Sequence, residues 1–170
     1  EKVKGDRQKV YERDLTVYEA LASDEDAEDL YICNRKFDSA RIKGLYCDGC
    51  IAINNDIDTE KERACVLAEE LGHHYTTVGD ILEQKISDDN RKQELKARLW
   101  GYNKLIGLAG ILSSYQAGCR NAYEMAEYLN VTEEYLKEAI EAYRRKYGIC
   151  TRIDNCIIYF EPNLTVLEIL

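Results

Sequence analysis

The sequence predicts an α+β fold, with a small antiparallel sheet packed on one central helix, then further helices and a C-terminal β tail. Three observations predict it. Two apolar runs between residues 42 and 54 flank Asp48-Gly49, a pair that tolerates the positive φ angles of a tight hairpin turn. Next, Ala64, Leu67, Ala68, Leu71 and Tyr75 recur at helical spacing and mark a helix with one buried stripe. Beyond residue 149 the chain turns β-prone again. Strands and helices are segregated rather than alternating, which disfavours a parallel βαβ design.

Taken in order, residues 6 to 21 carry Val10, Leu15, Val17, Tyr18 and Leu21 among charges, which predicts an amphipathic helix. The acidic run 24 to 29 reads as a solvated helix end or loop, and residues 30 to 33 as a short strand. After the hairpin, Asp58 or Thr59 caps the helix that runs to Tyr75. Residues 76 to 90 read as a loop with a short helix. A long helix follows over 90 to 105, with Leu95, Leu99, Tyr102 and Ile106 on one side, and Gly107 and Gly110 weaken its continuation. Asn121 with Glu124 forms a capping-box pattern that opens a helix to Leu129. Thr132 caps another, ended at Gly148. The runs 156 to 160 and 164 to 167 predict a terminal hairpin or added strands.

Composition excludes several function classes. The formal net charge of -9 opposes nonspecific nucleic-acid binding, which needs a basic surface to meet phosphates. No polybasic face suits a membrane surface, and no apolar run approaches the ~20 residues of a spanning helix. No signal peptide is visible. The seven cysteines are odd in number and scattered, which fits a reducing, cytoplasmic setting better than a disulfide framework.

The chemistry concentrates in Glu69-Glu70-Leu71-Gly72-His73-His74, which holds both histidines of the chain. Residues four apart share a helix face, so Glu69 and His73 project together and could hold one metal ion. Glu70 then occupies the place that H-E-x-x-H gives to the carboxylate that deprotonates the attacking water. Shifting the frame by one residue pairs Glu70 with His74 but puts Leu71 in the base position, where no proton can be accepted. His74 is left as a spare group, behind the metal or facing substrate. The spacing alone also fits a routine i,i+4 ion pair on a surface helix.

The run 42 to 80, from Lys43-Gly44-Leu45-Tyr46-Cys47-Asp48-Gly49-Cys50-Ile51-Ala52-Ile53-Asn54 through Glu69-Glu70-Leu71-Gly72-His73, resembles the ImmA/IrrE family of phage and mobile-element metallopeptidases. That family places a hairpin ending in I-x-I-N before its H-E-x-x-H helix, then a helix with an E-x-x-A-N-x-F-A-like pattern. Glu94-Leu95-Lys96-Ala97-Arg98-Leu99-Trp100-Gly101 is similar to the latter. The resemblance implies a zincin-like metallopeptidase core over residues 1–110, followed over 111–170 by a helix-turn-helix-like pair and terminal strands, packed as one unit. It implies zinc, or another divalent metal, on Glu69, His73 and Glu94, with Glu70 as catalytic base. The implied role is cleavage of a repressor-type protein, and the alternative is an inactive member that binds a protein partner. Two departures stand out. Glu69 replaces the first histidine of the motif, and Arg98 replaces the asparagine. Two carboxylates and one imidazole donate more negative charge than the usual set, so the expectation is altered metal preference or lower intrinsic activity.

The remaining motifs read as structural. Cys47-Asp48-Gly49-Cys50 flanks a hairpin turn rather than opening a helix, so it lacks the dipole that activates a redox thiol. Cys65 and Cys119 read as small core residues. Residues 125 to 136 have the shape of a helix-turn-helix, but Glu133, Glu134, Glu138 and Glu141 on the second helix would repel phosphates. A packing or protein-docking role follows. Tyr123, Tyr128, Tyr135 and Tyr143 read as packing residues.

Overall fold

The computed structural model describes residues 15–23, 29–77 and 88–169. Its elements are α1 (Val17–Ala22), β1 (Tyr31–Arg35), β2 (Gly44–Cys47), β3 (Cys50–Asn54), α2 (Glu60–Thr77), α3 (Asp88–Leu105), α4 (Gly107–Gln116), α5 (Ala122–Leu129), α6 (Glu133–Tyr147), β4 (Cys150–Ile153), β5 (Cys156–Tyr159) and β6 (Thr165–Glu168). The α+β class holds.

The hairpin forms where Asp48-Gly49 places it. Asp48 has φ 42° and Gly49 φ 76°, and Cys47 pairs with Cys50 across the turn. The first sheet is mixed, however, rather than antiparallel. Its order is β1-β3-β2, with β1 parallel to β3. The chain runs up, down and up again, and the third strand inserts between the first two. That insertion makes it antiparallel to β2 and parallel to β1. The reason is burial. Ile51 and Ile53 are fully buried, and the central position covers a strand on both edges.

Asn54 ends β3 and is itself buried. Its Nδ2 donates to the Ile42 carbonyl at 2.8 Å, and its Oδ1 accepts from the Asp56 backbone N–H at 3.0 Å. This side chain ties the strand end to the turn entering α2, whose first turn is capped by Thr59 Oγ1 accepting from Glu62 N at 3.2 Å.

Two apolar clusters meet on α2. One packs Leu21, Ile51, Ile53, Leu67 and Leu71 between the first sheet, α1 and α2. The other gathers Ile111, Leu136, Tyr143 and Ile158 between the C-terminal helices and the second sheet, β4-β5-β6, and takes Cys65 of α2 into its edge. The most extensive helix contact is α2 against α3. Its seam is made of small residues. Ala68 and Ala97 are fully buried, and the backbone of Ala97 lies so near Gly72 that a Cβ there would fall 2.1 Å from the Ala97 oxygen.

Several expectations change. Within the described part, the N-terminal helix begins only at Val17, because Thr16 caps it in a capping box with Glu19, and residues 6 to 14 lie outside the described residues. The acidic run beyond Ser23 and the loop after α2 fall largely outside them too. Leu95 is exposed, not core, because α3 turns Ala97 and Gly101 toward α2 instead. Gly107, at φ 59°, does not end helical structure but breaks it, and a new helix, α4, follows at once. Tyr135 and Tyr143 are buried as expected, whereas Tyr123 and Tyr128 are exposed on the outer side of α5. Cys119 is only half-buried.

Candidate metal centre

The site is assembled by the α2–α3 seam. Glu69 and His73 share one face of α2, one turn apart. Glu94 lies in the second turn of α3, and the close approach of the two backbones at Gly72 and Ala97 brings it opposite them. Ligand atoms of Glu69, His73 and Glu94 all lie within 4.8 Å of one another. His73 Nε2 lies 3.3 Å from Glu94 Oε2.

These residues fit a divalent ion. Ligand atoms bound to one tetrahedral metal at about 2.0–2.1 Å lie about 3.4 Å apart. The His73–Glu94 separation already has that value, and a Glu69 carboxylate oxygen lies within 4.8 Å of both. Two carboxylates and a neutral imidazole also match a charge of plus two.

Glu70 lines the same cleft, of about 490 Å³, together with Gly44, Leu45, Tyr46, Asn90 and Gln93. Its carboxylate lies under strand β2, where a Cβ on Gly44 would meet Glu70 Oε1 at 2.6 Å. The glycine at that strand position therefore makes room for the carboxylate. Burial pushes the Glu70 carboxyl up to about 7, the charges of Glu69 and Glu94 push the same way, and a hydrogen bond from the Tyr46 backbone offsets part of the rise. Glu69 is also raised, first by burial, against the opposing pull of Arg98.

An acid raised in the folded state stabilises the fold only while protonated. For Glu70 that contribution is full below its ordinary value of 4.5 and is lost as pH rises toward about 7. The full shift corresponds to roughly 3 kcal/mol, and partial exposure reduces it to about 2. In metal-stripped protein, Glu70→Gln is therefore expected to raise stability by about 2 kcal/mol at pH 8 and to leave it unchanged near pH 4, read by urea unfolding at both pH values. Equal effects at the two pH values would contradict the assigned burial.

Arg98 is the member whose role the sequence left open. Its Nε approaches Glu94 Oε1 at 2.6 Å and Glu69 Oε1 at 3.1 Å, bridging the two acidic members of the cluster. Its Nη1 lies 3.8 Å from Glu138 Oε2 on α6, and the same oxygen accepts from Tyr102 at 3.0 Å. The Glu94–Arg98 contact has i,i+4 spacing and was legible in the sequence. The reach to Glu138 was not, since nothing local links α3 to α6.

His74 points away from this cluster. Its Nδ1 is 3.0 Å from the Tyr46 hydroxyl, and its ring packs edge-on against both Tyr46 and Tyr75. It pins α2 to the hairpin. Trp100, in the aromatic position of the α3 pattern, packs on Tyr75 at 4.8 Å between ring centroids. Cys47 and Cys50 are free thiols on adjacent strands.

The model of a peptidase family, described as the IrrE N-terminal-like domain, matches residues 25–141. The chain belongs to this family. The IrrE N-terminal-like match runs from before β1 into α6, so it contains the whole cluster and leaves β4 to β6 outside. No curated protein and no solved structure gives a significant match. Membership in the IrrE N-terminal-like family points to a metallopeptidase-type function, and the Glu-His-Glu group supplies a place for a metal. Among the described residues, no helix is long and apolar enough to cross a membrane.

Proposed function

We propose that this chain is a metal-dependent endopeptidase acting on a regulatory, repressor-type protein of a phage or mobile element in a reducing, cytoplasmic setting. The convergence of Glu69, His73 and Glu94 beside Glu70 in one cleft carries this reading. Family membership supports the peptidase class. Seven free thiols fit the compartment.

Glu69, His73 and Glu94 hold the metal, which is zinc or another divalent ion that tolerates two carboxylates. When bound, the metal polarises the scissile carbonyl and acidifies the attacking water. Glu70 takes the proton from that water and returns it to the leaving amine. A carboxyl near pH 7 suits both halves of this task, because it neither holds nor releases the proton too strongly at neutral pH. Strand β2 is an edge of the first sheet and forms one wall of the cleft, so an extended substrate can pair with its backbone.

The test is hydrolysis of a mixed library of peptides, read by mass spectrometry, with zinc or manganese added to metal-stripped protein. The expected result is cleavage that appears with metal and disappears with chelator. Failure of both metals to bind, or binding unaffected by His73→Ala, would sink the proposal.

A further inference from the structure

Arg98 has no part in the mechanism above. Arg98 lies against two of the residues assigned to the metal, although both carboxylates are needed to hold it. Its Nε contacts one oxygen each of Glu94 and Glu69, while the other Glu94 oxygen faces His73. The guanidinium therefore neutralises the two carboxylates from one side while the imidazole closes the cluster from another.

We propose that Arg98 is a built-in counter-cation of the Glu69–Glu94 pair, which an entering metal ion displaces, and that Glu138 on α6 is the acceptor that takes the guanidinium. This rests on the metal-site reading given above. A divalent ion held by the two carboxylates repels a guanidinium bonded to the same groups, because like charges a few ångströms apart in a partly buried cleft are poorly screened. Arg98 and the ion thus compete for the same negative charge.

The geometry supplies the exit. Nη1 of Arg98 is already 3.8 Å from Glu138 Oε2, so a short rotation of the side chain closes a direct ion pair. Tyr102 donates to that oxygen and fixes the acceptor in place. The Arg98 side chain is 41% exposed, so its head group has solvent to move through. Arg98 and Glu138 also line a second cleft of about 400 Å³ with Tyr102, Lys137 and Arg145, which has room for the displaced group. Of the other charged groups lining that cleft, Lys137 and Arg145 are cations that repel Arg98, and Glu141 is already paired with Arg144 and Arg145. In this arrangement α6 senses the state of the metal site through one side chain.

The experiment is calorimetric titration of metal-stripped protein with zinc alone and with manganese alone. It uses the wild type, Arg98→Gln, Glu138→Gln, the double variant and His73→Ala as the marker of the site. Arg98→Gln is expected to bind metal at least ten-fold more tightly than the wild type, and to melt at a lower temperature when metal-free, because Glu69 and Glu94 then face each other uncompensated. Glu138→Gln is expected to weaken metal binding several-fold, and to lose that effect when Arg98 is already glutamine. A merely structural role for Glu138 would persist in the double variant. Unchanged or weaker metal binding in Arg98→Gln, with His73→Ala still abolishing it, overturns the counter-cation role and leaves the metal site standing. Should Arg98→Gln fail to fold, an unaltered affinity in Glu138→Gln overturns the proposal by itself. Absence of metal binding in the wild type and in every variant overturns this inference together with the peptidase reading.

Discussion

Glu70→Gln is expected to lower metal-dependent peptide hydrolysis by about a thousand-fold, within the 10²–10⁴ range of a lost general base, while bound metal stays at the wild-type level. Glutamine keeps the shape and the hydrogen bond to strand β2 but cannot take a proton. Glu70 is not one of the three converging residues, so the Glu69, His73 and Glu94 group is left intact. The same change is expected to stabilise the metal-stripped fold at neutral pH, since it removes a carboxylate whose ionisation burial resists. Opposite signs on activity and stability are what a functional carboxylate under strain produces. The measurements are turnover with metal in excess, metal content by elemental analysis, and urea unfolding of the stripped protein. Hydrolysis that survives at the wild-type rate would remove Glu70 from the mechanism.

Gly72→Ala carries the largest expected structural effect. In an open helix interior, alanine in place of glycine is favourable by about 1 kcal/mol. Here the added methyl would lie 2.1 Å from the Ala97 carbonyl oxygen and 2.8 Å from its carbon. Both are backbone atoms of α3, so relief requires moving a helix rather than a side chain. Overpacking of this kind costs about 1–3 kcal/mol and sometimes more. The contact is at the severe end, so the clash outweighs the helix-propensity gain, and a net loss of about 2 kcal/mol is expected. For a chain of this length that is a fall of roughly 4–8 °C in Tm. Because α3 bears Glu94, metal affinity should fall with it. Gly110→Ala is the comparison, since its Cβ would meet only side-chain atoms, Leu129 Cδ2 at 3.0 Å and Ile106 Cγ2 at 3.9 Å. A Gly72→Ala protein as stable as the wild type would mean that the two helices are not held at this distance.

Local rules recovered much of the molecule. The hairpin at Asp48-Gly49, the Thr59, Asn121 and Thr132 caps and the stop at Gly148 depend on φ preferences and on side chains reaching backbone groups a few residues away. Glu69 and His73 belong to the same class, because one helix turn fixes their relation. What failed depended on partners distant in sequence. Leu95 looked like core until α3 chose the face bearing Ala97 and Gly101. The first sheet looked antiparallel until β3 was found between β1 and β2. Glu94 is the intermediate case. Resemblance named it, but only the packing of α3 on α2 places its carboxylate 3.3 Å from His73.

By itself, the sequence determined most of the helices and turns, though not α4 beyond Gly107, and that Glu69, Glu70 and His73 share a single stretch of helix, because those relations are set by backbone geometry over a few residues. The tertiary structure alone decided that Gly72 and Ala97 touch, that Glu94 closes the cluster, and that Arg98 spans it to reach Glu138. Those contacts join residues up to forty positions apart, and their distances follow from how closely two helices can pack, a property that no short window of residues contains.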